Sequence, residues 1–311
     1  MPKTHKPRSG SLQYWPRKKA KKQTARVRAW SLNSNSNILG FPGYKVGMTH
    51  LHYLTNNPHI KQKEPYFTPV TIIECPSLKP FSLRFYKKNP NSLSLVSEIL
   101  AKNLDKKLGR KIRFPKKHND KIPESYDELR LLAYTQPNLT SLNKKKPEIV
   151  EIKLSNNLEH AKSLLEKEIN IQDVFKESQY VDIHAVSKGK GFQGPVKRFG
   201  IALKSHKSEK GRRAPGSLGN WMAKTWCVAH AGQTGYHLRT EYNKQILKIS
   251  SNLEEINQKT GFHQYGFIKN PYVLLKGSIP GSKKRLITLT YPLRNKKVFP
   301  VNITSIKNVS L

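Results

Sequence analysis

Acidic residues are unevenly distributed along this chain, and their distribution limits which segments can form an ordinary folded domain. Residues 85–182 hold 14 of the 20 acidic residues and 19 of the 57 basic ones, a formal net charge of +5. The rest of the chain holds 38 basic and 6 acidic residues, a net charge of +32. The middle of the sequence therefore resembles a typical globular domain, whereas the flanks resemble surface that faces a polyanion.

The total formal charge of +37 over 311 residues predicts a polyanionic partner, because solubility alone does not require so large an excess. Nucleic acid is the first hypothesis, since each phosphate neutralised by Lys or Arg releases condensed counterions. Hydrophobic residues make up 36% of the chain, below the usual share. We therefore expect folded domains with unpacked arms.

The sequence predicts no membrane span and no secretory signal. Apolar runs such as Leu131–Tyr134 and Tyr272–Leu275 are far too short to cross a bilayer. No apolar segment follows the N-terminal cations, so we expect a cytoplasmic protein. Cys75 and Cys227 fit a reducing compartment, and both are expected to be buried as small hydrophobic residues.

The N-terminus has the composition of an arm rather than a packed domain. Residues 1–30 carry ten Lys or Arg, three prolines and no acidic residue. Tyr14, Trp15 and Trp30 lie among these cations and suit stacking on nucleobases. We expect the arm to become ordered only on binding, the alternative being a solvated, disordered tail.

Apolar spacing predicts short strands in residues 41–75 and two helices in the middle of the chain. The first helix is expected over Leu93–Leu108. The second is expected over Leu158–Ile169, with Asn156 or Asn157 as its N-cap. A loop that contains Lys144–Pro147 lies between them.

Strand signals return near Asp182 and are separated by Gly, Pro and Asn turns. The predicted strands are Val181–Ser187, Ile246–Ser250, Tyr272–Lys276 and Leu286–Tyr291. Short strands of this kind suggest a barrel. The simplest architecture is a β-domain assembled from both flanks, with the middle segment inserted into it.

The pattern G-x-G-x-x-G occurs at Gly189, Gly191 and Gly194, directly after a predicted strand. A dinucleotide site would require a long helix to follow and an acidic residue about twenty residues later. The sequence from Pro195 to Gly200 predicts no such helix. Glycines among lysines instead allow the backbone and the cations to approach phosphates closely.

Residues 202–239 form a predicted extended loop with seven Lys or Arg, one acidic residue and five glycines. Its aromatic residues Trp221, Trp226 and Tyr236 are suited to stacking or wedging in an RNA fold. For Trp226 and Tyr236, however, we expect packing onto the barrel at the base of the loop. This alternative is less favoured for Trp221.

Metal binding and catalysis are weakly supported by the sequence. Cys227, His230 and His237 lack the fourth ligand that a structural zinc site needs. No nucleophile, base and orienting acid occur at a recognisable spacing. We therefore expect a protein that is not an enzyme, with no cofactor, no metal site and no small-molecule substrate.

Five segments together resemble large-subunit ribosomal protein three, in its archaeal form, and they occur in the family's order across nearly the whole chain. They are GSLQYWPRKKAKK at Gly10–Lys22, FPGYKVGMTH at Phe41–His50, VSKGKGFQGPVKRFG at Val186–Gly200, AGQTGYHLRTEYNK at Ala231–Lys244 and VLLKGSIPGSKKRL at Val273–Leu286. The middle segment resembles the family mainly by its placement and by KKKPE at Lys144–Glu148.

The resemblance implies a mixed α+β protein with a translation-protein-like β-barrel, an inserted α/β domain and irregular basic extensions. The expected divisions are an arm at 1–38, barrel at 39–84, an inserted domain at 85–180, a Gly-rich strand exit at 181–201, a basic loop at 202–239 and the rest of the barrel at 240–311. The family's loop carries a tryptophan finger toward the peptidyl transferase centre, and GSLGNW gives that position to Trp221.

By the same resemblance, the expected partners are large-subunit (23S) rRNA and neighbouring large-subunit proteins. Candidate rRNA contacts share a cationic, aromatic or imidazole side chain in the arm, the strand exit or the loop. They are Arg17, Lys18, Lys19, Lys21, Lys22, Lys188, Lys190, Lys197, Arg198, His206, Arg212, Arg213, Trp221, Tyr236, His237 and Arg239. Two other classes remain open from the residues alone: a free-standing nucleic-acid-binding or chromatin factor, and a nicotinamide or methyl-donor enzyme.

Overall fold

A computed structural model describes residues 7–31, 37–56, 58, 64–115, 121–220, 222, 224–294 and 296–307. The described chain is mainly β-sheet with two short α-helices and five 3₁₀ helices. The strands are β1 (Gly40–Thr55), β2 (Tyr66–Glu74), β3 (Lys79–Asn89), β4 (Ser92–Leu100), β5 (Glu128–Tyr134), β6 (Ile149–Lys153), β7 (Tyr180–Val186), β8 (Gly191–Gln193), β9 (Gly232–Thr234), β10 (Leu238–Ser250), β11 (Tyr272–Lys276), β12 (Leu286–Thr290) and β13 (Val301–Lys307), and the helices are α1 (Leu158–Leu164) and α2 (Pro195–Phe199).

The largest sheet has seven strands in the order β12-β7-β10-β11-β2-β1-β13. Strand β12 pairs with β1 as well as with β7, and the β1 pairing runs antiparallel from Gly40↔Thr290 to Tyr44↔Leu286. Hydrogen bonding therefore continues from β1 through β2, β11, β10, β7 and β12 back to β1. Strand β13 pairs with the second half of β1, outside this circuit.

A second sheet has four antiparallel strands in the order β4-β3-β5-β6, and a third contains only β8 and β9. Apolar residues that alternate along the strands form the core, since every second residue of a strand faces the same side of its sheet. Phe41, Ile73, Leu83, Leu129 and Ile287 are fully buried and belong to one hydrophobic cluster. That cluster joins the inner faces of the large sheet and the four-stranded sheet.

Contacts divide the chain into two compact units. The first, the sheet unit, comprises Gln23–Ala185 and Arg239–Leu311. The second, the basic unit, comprises Met1–Lys22 and Val186–Leu238. None of the helices in the described residues is both long and apolar enough to span a membrane.

The predicted helix Leu93–Leu108 is wrong. Residues 92–100 form β4, and Lys106–Arg110 form a short 3₁₀ helix. The two-residue turn Pro90-Asn91 folds the chain back on β3, with Asn89 opposite Ser92. The apolar residues of this segment have helical spacing, but the tight turn and the long β3 partner favour the strand.

The predicted helix Leu158–Ile169 is present but shorter, because α1 ends at Leu164. The Asn157 side chain caps it by accepting a hydrogen bond from the His160 N–H at 3.3 Å. Strand β11 matches its predicted range, and the other three predicted strands correspond to β7, β12 and the second half of β10. Cys75 is buried as expected, whereas Cys227 is only half-buried.

Candidate nucleic-acid interface

The basic unit combines three segments that the sequence singled out: the arm, the Gly-rich strand exit and the loop. The two stretches of sequence that compose it, 1–22 and 186–238, contain 18 Lys or Arg and a single acidic residue, Glu209. Such a composition leaves almost no carboxylate to neutralise the cations. The unit must therefore be held together by contacts other than ion pairs.

Backbone hydrogen bonds join the strand exit to the end of the loop. Strands β8 and β9 pair from Gly191↔Thr234 to Gln193↔Gly232, and the Lys190 N–H donates to the Thr234 carbonyl at 2.9 Å. Gly235 adopts φ +72°, and a Cβ at this position would lie 2.1 Å from the Lys188 carbonyl oxygen. Only glycine fits there, because the backbone is left-handed and the approach is too close for a side chain.

Arg198 on α2 holds the arm, the exit and the loop in one place. Its guanidinium donates hydrogen bonds to the carbonyls of Gln233 at 3.1 Å, His230 at 2.9 Å and Arg17 at 3.2 Å. The Arg17 guanidinium donates in return to the Arg198 carbonyl at 3.4 Å. Burial lowers the pKa of Arg198, and its planar fork of donors suits three carbonyl acceptors at once.

An aromatic cluster packs beside this fork. The Trp15 ring stacks on Phe199 with centroids 5.6 Å apart, and the Trp226 ring meets the edge of Trp15 at 6.0 Å. The Arg17 guanidinium lies over Phe199, 4.3 Å from the ring centroid. Gly10 completes the contact, since a Cβ there would lie 2.6 Å from the Phe199 ring.

These contacts correct two expectations about the arm and the loop. Residues 10–20 of the arm already pack against the exit and the loop within the protein itself, so the arm does not order only on binding. Trp226 packs on Trp15 of the arm and remains 62% exposed, so it is not buried at the base of the loop.

The structure separates the candidate rRNA contacts by exposure. Exposed side chains occur in the arm, just before β8, on α2 and in the loop. They are Lys18, Lys19, Lys21, Lys22, Lys188, Lys190, Lys197, His206, Arg212 and Arg213. Arg212 also donates through Nε to the Lys204 carbonyl at 3.3 Å, which ties two parts of the loop together.

The remaining candidates have different surroundings. Arg17, Arg198 and Tyr236 are half-buried in the basic unit, and Arg239 is half-buried on β10 in the sheet unit. His237 is buried, and its Nδ1 lies 3.0 Å from the Lys18 carbonyl oxygen. Trp221 lies outside the described residues.

The G-x-G-x-x-G segment does not open a helix of the kind that binds dinucleotides. Gly191 begins strand β8, and α2 after Gly194 is only five residues long. Even this short helix was not predicted. Pro195 at its first turn and left-handed Gly200 at its C-terminal end, with φ +70°, are the signals that indicate it.

The side chains considered for zinc bond to the backbone instead. Cys227 Sγ donates to the Lys224 carbonyl, and His230 Nε2 lies 3.2 Å from the Thr225 carbonyl oxygen. Within the described ranges, no three His, Cys, Asp or Glu side chains are grouped closely enough to hold a metal ion.

Two aromatic residues of this region were missed by the sequence reasoning. Phe199 is the buried centre of the aromatic cluster, and Phe192 on β8 is 76% exposed between Lys190 and Lys197 in the sequence. Phe192 has the properties of a stacking platform, because an exposed ring among cations can pair with a nucleobase. Its place in the Gly-rich motif was the available signal.

Comparisons with known proteins identify the family of this chain. The family described as ribosomal protein L3 matches residues 1–299. "Large ribosomal subunit protein uL3" of Methanocaldococcus jannaschii is 44% identical, covering 93% of this chain and 92% of its own length. The proteins of that name from Methanococcus aeolicus and Methanosphaera stadtmanae are each 43% identical, covering 94% and 100% of this chain and 93% and 99% of their own lengths. On this similarity along nearly its entire length, the chain belongs to the ribosomal protein L3 family.

Proposed function

We propose that this chain is a structural constituent of the large ribosomal subunit in the cytoplasm, that it binds large-subunit rRNA, and that it is not an enzyme. Membership of the family carries the proposal, since the relatives are named as large-subunit proteins. The surface of the basic unit supports it independently. Ten candidate cations and imidazoles are exposed in a unit with one acidic residue.

The proposed mechanism is positioning of RNA rather than catalysis. Exposed lysines and arginines of the basic unit neutralise phosphates, so that neighbouring RNA helices can approach each other. Lys188 and Lys190 contact phosphate from the segment just before β8, Lys197 does so from α2, and Arg212 and Arg213 do so from the loop. Arg198, Arg17 and His237 act by positioning, because their polar atoms bond to carbonyls of the basic unit.

We propose that the circuit of strands from β1 through β12 is the translation-protein-like β-barrel of the family. The pairing of β12 with both β7 and β1 supports closure. We also propose that residues 85–180 are an inserted α/β domain, since the chain leaves the large sheet after β2 and re-enters it at β7. The other divisions are those expected from the sequence: 1–38, 39–84, 181–201, 202–239 and 240–311.

We propose that the loop at 202–239 reaches toward the peptidyl transferase centre, with Trp221 at its tip. The described residues from 201 to 220 contain no helix or strand and are mostly exposed, which suits a segment that folds against RNA. Large subunits with Trp221→Ala should show altered antibiotic sensitivity. Unchanged translation and unchanged sensitivity would remove this role for Trp221.

The proposed function is tested by sedimentation of a cell extract. The chain should travel with the large subunit, at one copy per subunit, and should remain there through moderate salt. A free-standing chromatin or nucleic-acid factor would instead leave the subunit fraction or exceed that stoichiometry. Tryptophan fluorescence during titration with nicotinamide or methyl-donor cofactors should not change, and a saturable change would favour an enzyme.

A further inference from the structure

Phe192 is an exposed aromatic residue at the centre of the short strand β8. Its side chain is 76% exposed, a larger fraction than for any other phenylalanine, tyrosine or tryptophan among the described residues. A ring left this open to water lacks the stabilisation that burial gives to a phenylalanine. The ring is therefore available to a binding partner of the protein.

The backbone that carries Phe192 is fastened to its neighbours. Phe192 lies opposite Gln233 in the pairing of β8 with β9. The Arg198 guanidinium donates to the Gln233 carbonyl at 3.1 Å, and the Gln193 side-chain amide donates to the Lys190 carbonyl at 2.8 Å. A backbone that is already fixed reduces the conformational entropy lost when the ring binds a partner.

Two glycines leave open space along the chain on either side of Phe192. A Cβ at Gly191 or at Gly194 would meet no described heavy atom within 4 Å. Gly191 is left-handed, with φ +71°, so its backbone itself favours glycine. Gly194 has an extended backbone that any residue adopts, so neither its conformation nor a neighbouring described atom requires glycine there. The space beside Gly194 thus remains free for a large group that approaches β8.

The charges around β8 indicate the kind of partner. Between Asp182 and Glu209 the sequence contains six Lys or Arg and no acidic residue, and Lys190 and Lys197 are exposed. Strand β9, which pairs with β8, contains no charged residue, and the next acidic residue after it is Glu241. A polyanion is attracted to such a surface, whereas an uncharged or cationic protein segment is not.

RNA is the polyanion that also offers flat rings to an exposed phenyl group. In an A-form helix each base is stacked between its neighbours, and the deep major groove is closed to side chains. Bases in loops and bulges are unstacked and can pack on an aromatic side chain. Because a phenyl ring has no hydrogen-bonding group, it accepts such a base without reading its edge.

We propose that Phe192 stacks on one unpaired base of large-subunit rRNA, while the exposed Lys190 and Lys197 contact neighbouring phosphates. The inference rests on the proposed function and names the kind of RNA that β8 binds, a bulged or looped nucleotide rather than a helix. Phosphate contacts supply affinity that falls with salt. The stacked ring supplies affinity that depends on its aromatic face instead.

Filter binding of the full chain to purified large-subunit rRNA over a salt series separates these two contributions. Phe192→Leu keeps an apolar side chain but removes the ring, so it should weaken binding about tenfold at each salt concentration. The slope of log affinity against log salt should stay the same, because no phosphate contact is lost. Phe192→Tyr keeps the ring and should bind within about twofold of the native chain.

The matched control is Phe267→Leu, at a phenylalanine of 47% exposure in the sheet unit, which should bind rRNA like the native chain. Native affinity for Phe192→Leu would overturn the proposal. So would an affinity of Phe192→Tyr as low as that of Phe192→Leu, since the aromatic ring would then not be what binds. An equal loss for Phe267→Leu would also overturn it, because the loss would not be specific to β8.

A photoreactive phenylalanine analogue in place of Phe192, in assembled large subunits, identifies the partner itself. The expected product is sensitive to ribonuclease, and primer extension should place the link at a single nucleotide. Chemical probing of the free rRNA should show that the base of this nucleotide is unpaired. A link to a paired nucleotide, a ribonuclease-resistant link to another protein, or no link would each overturn the proposal.

Failure of the proposed function gives a different result. In that case the native chain would not sediment with the large subunit, and it would bind large-subunit rRNA no more tightly than an unrelated RNA of equal length. If only the role of Phe192 is wrong, the native chain still sediments with the subunit and binds its rRNA, and Phe192→Leu does so equally well.

Discussion

The two compact units differ in how they hold several of their charged side chains. In the sheet unit, several charged groups pair with each other or accept hydrogen bonds while buried: Arg130 lies between Glu128 at 3.0 Å and Glu151 at 3.3 Å, and buried Glu74 accepts several hydrogen bonds. In the basic unit, the internal partners of Arg17 and Arg198 are carbonyl groups and an aromatic ring.

This difference shows how a unit can be folded and still remain strongly cationic. A carboxylate partner would neutralise each arginine that it fastened. A carbonyl partner fastens the arginine and leaves its full positive charge in place. The basic unit thus keeps its positive charge available to phosphates, with 18 Lys or Arg and one acidic residue in its two stretches of sequence.

The largest effect is expected at Glu74, the most deeply buried charged group that accepts hydrogen bonds in the sheet unit. Its carboxylate is fully buried and accepts hydrogen bonds from the Tyr265 hydroxyl and from the Lys269 and Asn270 backbone N–H groups. Glu74→Gln should lower the free energy of unfolding by about 3 kcal/mol, because charge-assisted bonds become neutral ones and the Tyr265 hydroxyl must turn from donor to acceptor. Urea unfolding followed by circular dichroism measures it. A loss below about 1 kcal/mol would show that the buried carboxylate is not essential.

The second largest effect is expected at Arg198, whose guanidinium bonds to carbonyl groups of the basic unit. Arg198→Lys keeps the charge, but a lysine ammonium cannot serve three carbonyls arranged around a planar fork. Amides of residues 15–20 should exchange roughly thirty times faster, equivalent to about 2 kcal/mol. Hydrogen exchange with mass spectrometry measures this change. Lys197→Arg, a substitution at the exposed neighbour on α2, is the control and should leave the arm protected.

A smaller effect is expected from the exposed cations. The double variant Lys188→Ala and Lys190→Ala should reduce the slope of log affinity for rRNA against log salt by roughly 1.5, since each lost phosphate contact removes about 0.7 to 0.9. Filter binding across a salt series measures the slope. The matched control removes Lys102 and Lys106, two exposed lysines of the sheet unit. Equal slopes for both double variants would show that exposed lysines of the sheet unit contact rRNA as much as those of the basic unit do.

The smallest effect concerns pH and the sheet unit. His184 is buried between the hydroxyls of Thr240 at 3.0 Å and Thr290 at 3.1 Å, and burial lowers its pKa. Above about pH 6.5 the imidazole is neutral in both folded and unfolded chains. Below that pH the unfolded chain takes up the proton first, so His184 reduces stability as the pH falls toward its folded pKa.

His184→Asn should therefore unfold with a shallower decline in stability between about pH 6.5 and 5 than the native chain. Chemical unfolding at several pH values provides the comparison. An Asn side chain can still bond to a threonine hydroxyl, so the difference isolates the titration. Parallel pH profiles would mean that His184 is protonated equally in both states.

Local sequence signals predict the elements whose residue pattern fits only one type of secondary structure. Strand β11 was predicted at its observed bounds, and Asn157 was one of two candidates for the cap of α1. The segment of β4 was predicted as a helix from the helical spacing of its apolar residues, and only the tight turn and the long β3 partner show that it is a strand. Phe199 was overlooked, since its ring matters only where Trp15 and Arg17 come close in space.

By itself, the sequence determined where positive charge accumulates, that the partner is a polyanion, and which family the chain resembles, because composition and motifs do not depend on contacts. Tertiary structure alone decided what individual cations do. Lys197 and Arg198 are adjacent in sequence, yet one is exposed and the other is half-buried against three carbonyls. The physical reason is that the role of a cation depends on its nearest acceptor. For Arg198, two of the acceptors lie more than thirty residues away in the sequence, and the third lies in the arm. Only folding brings these carbonyls within hydrogen-bonding distance.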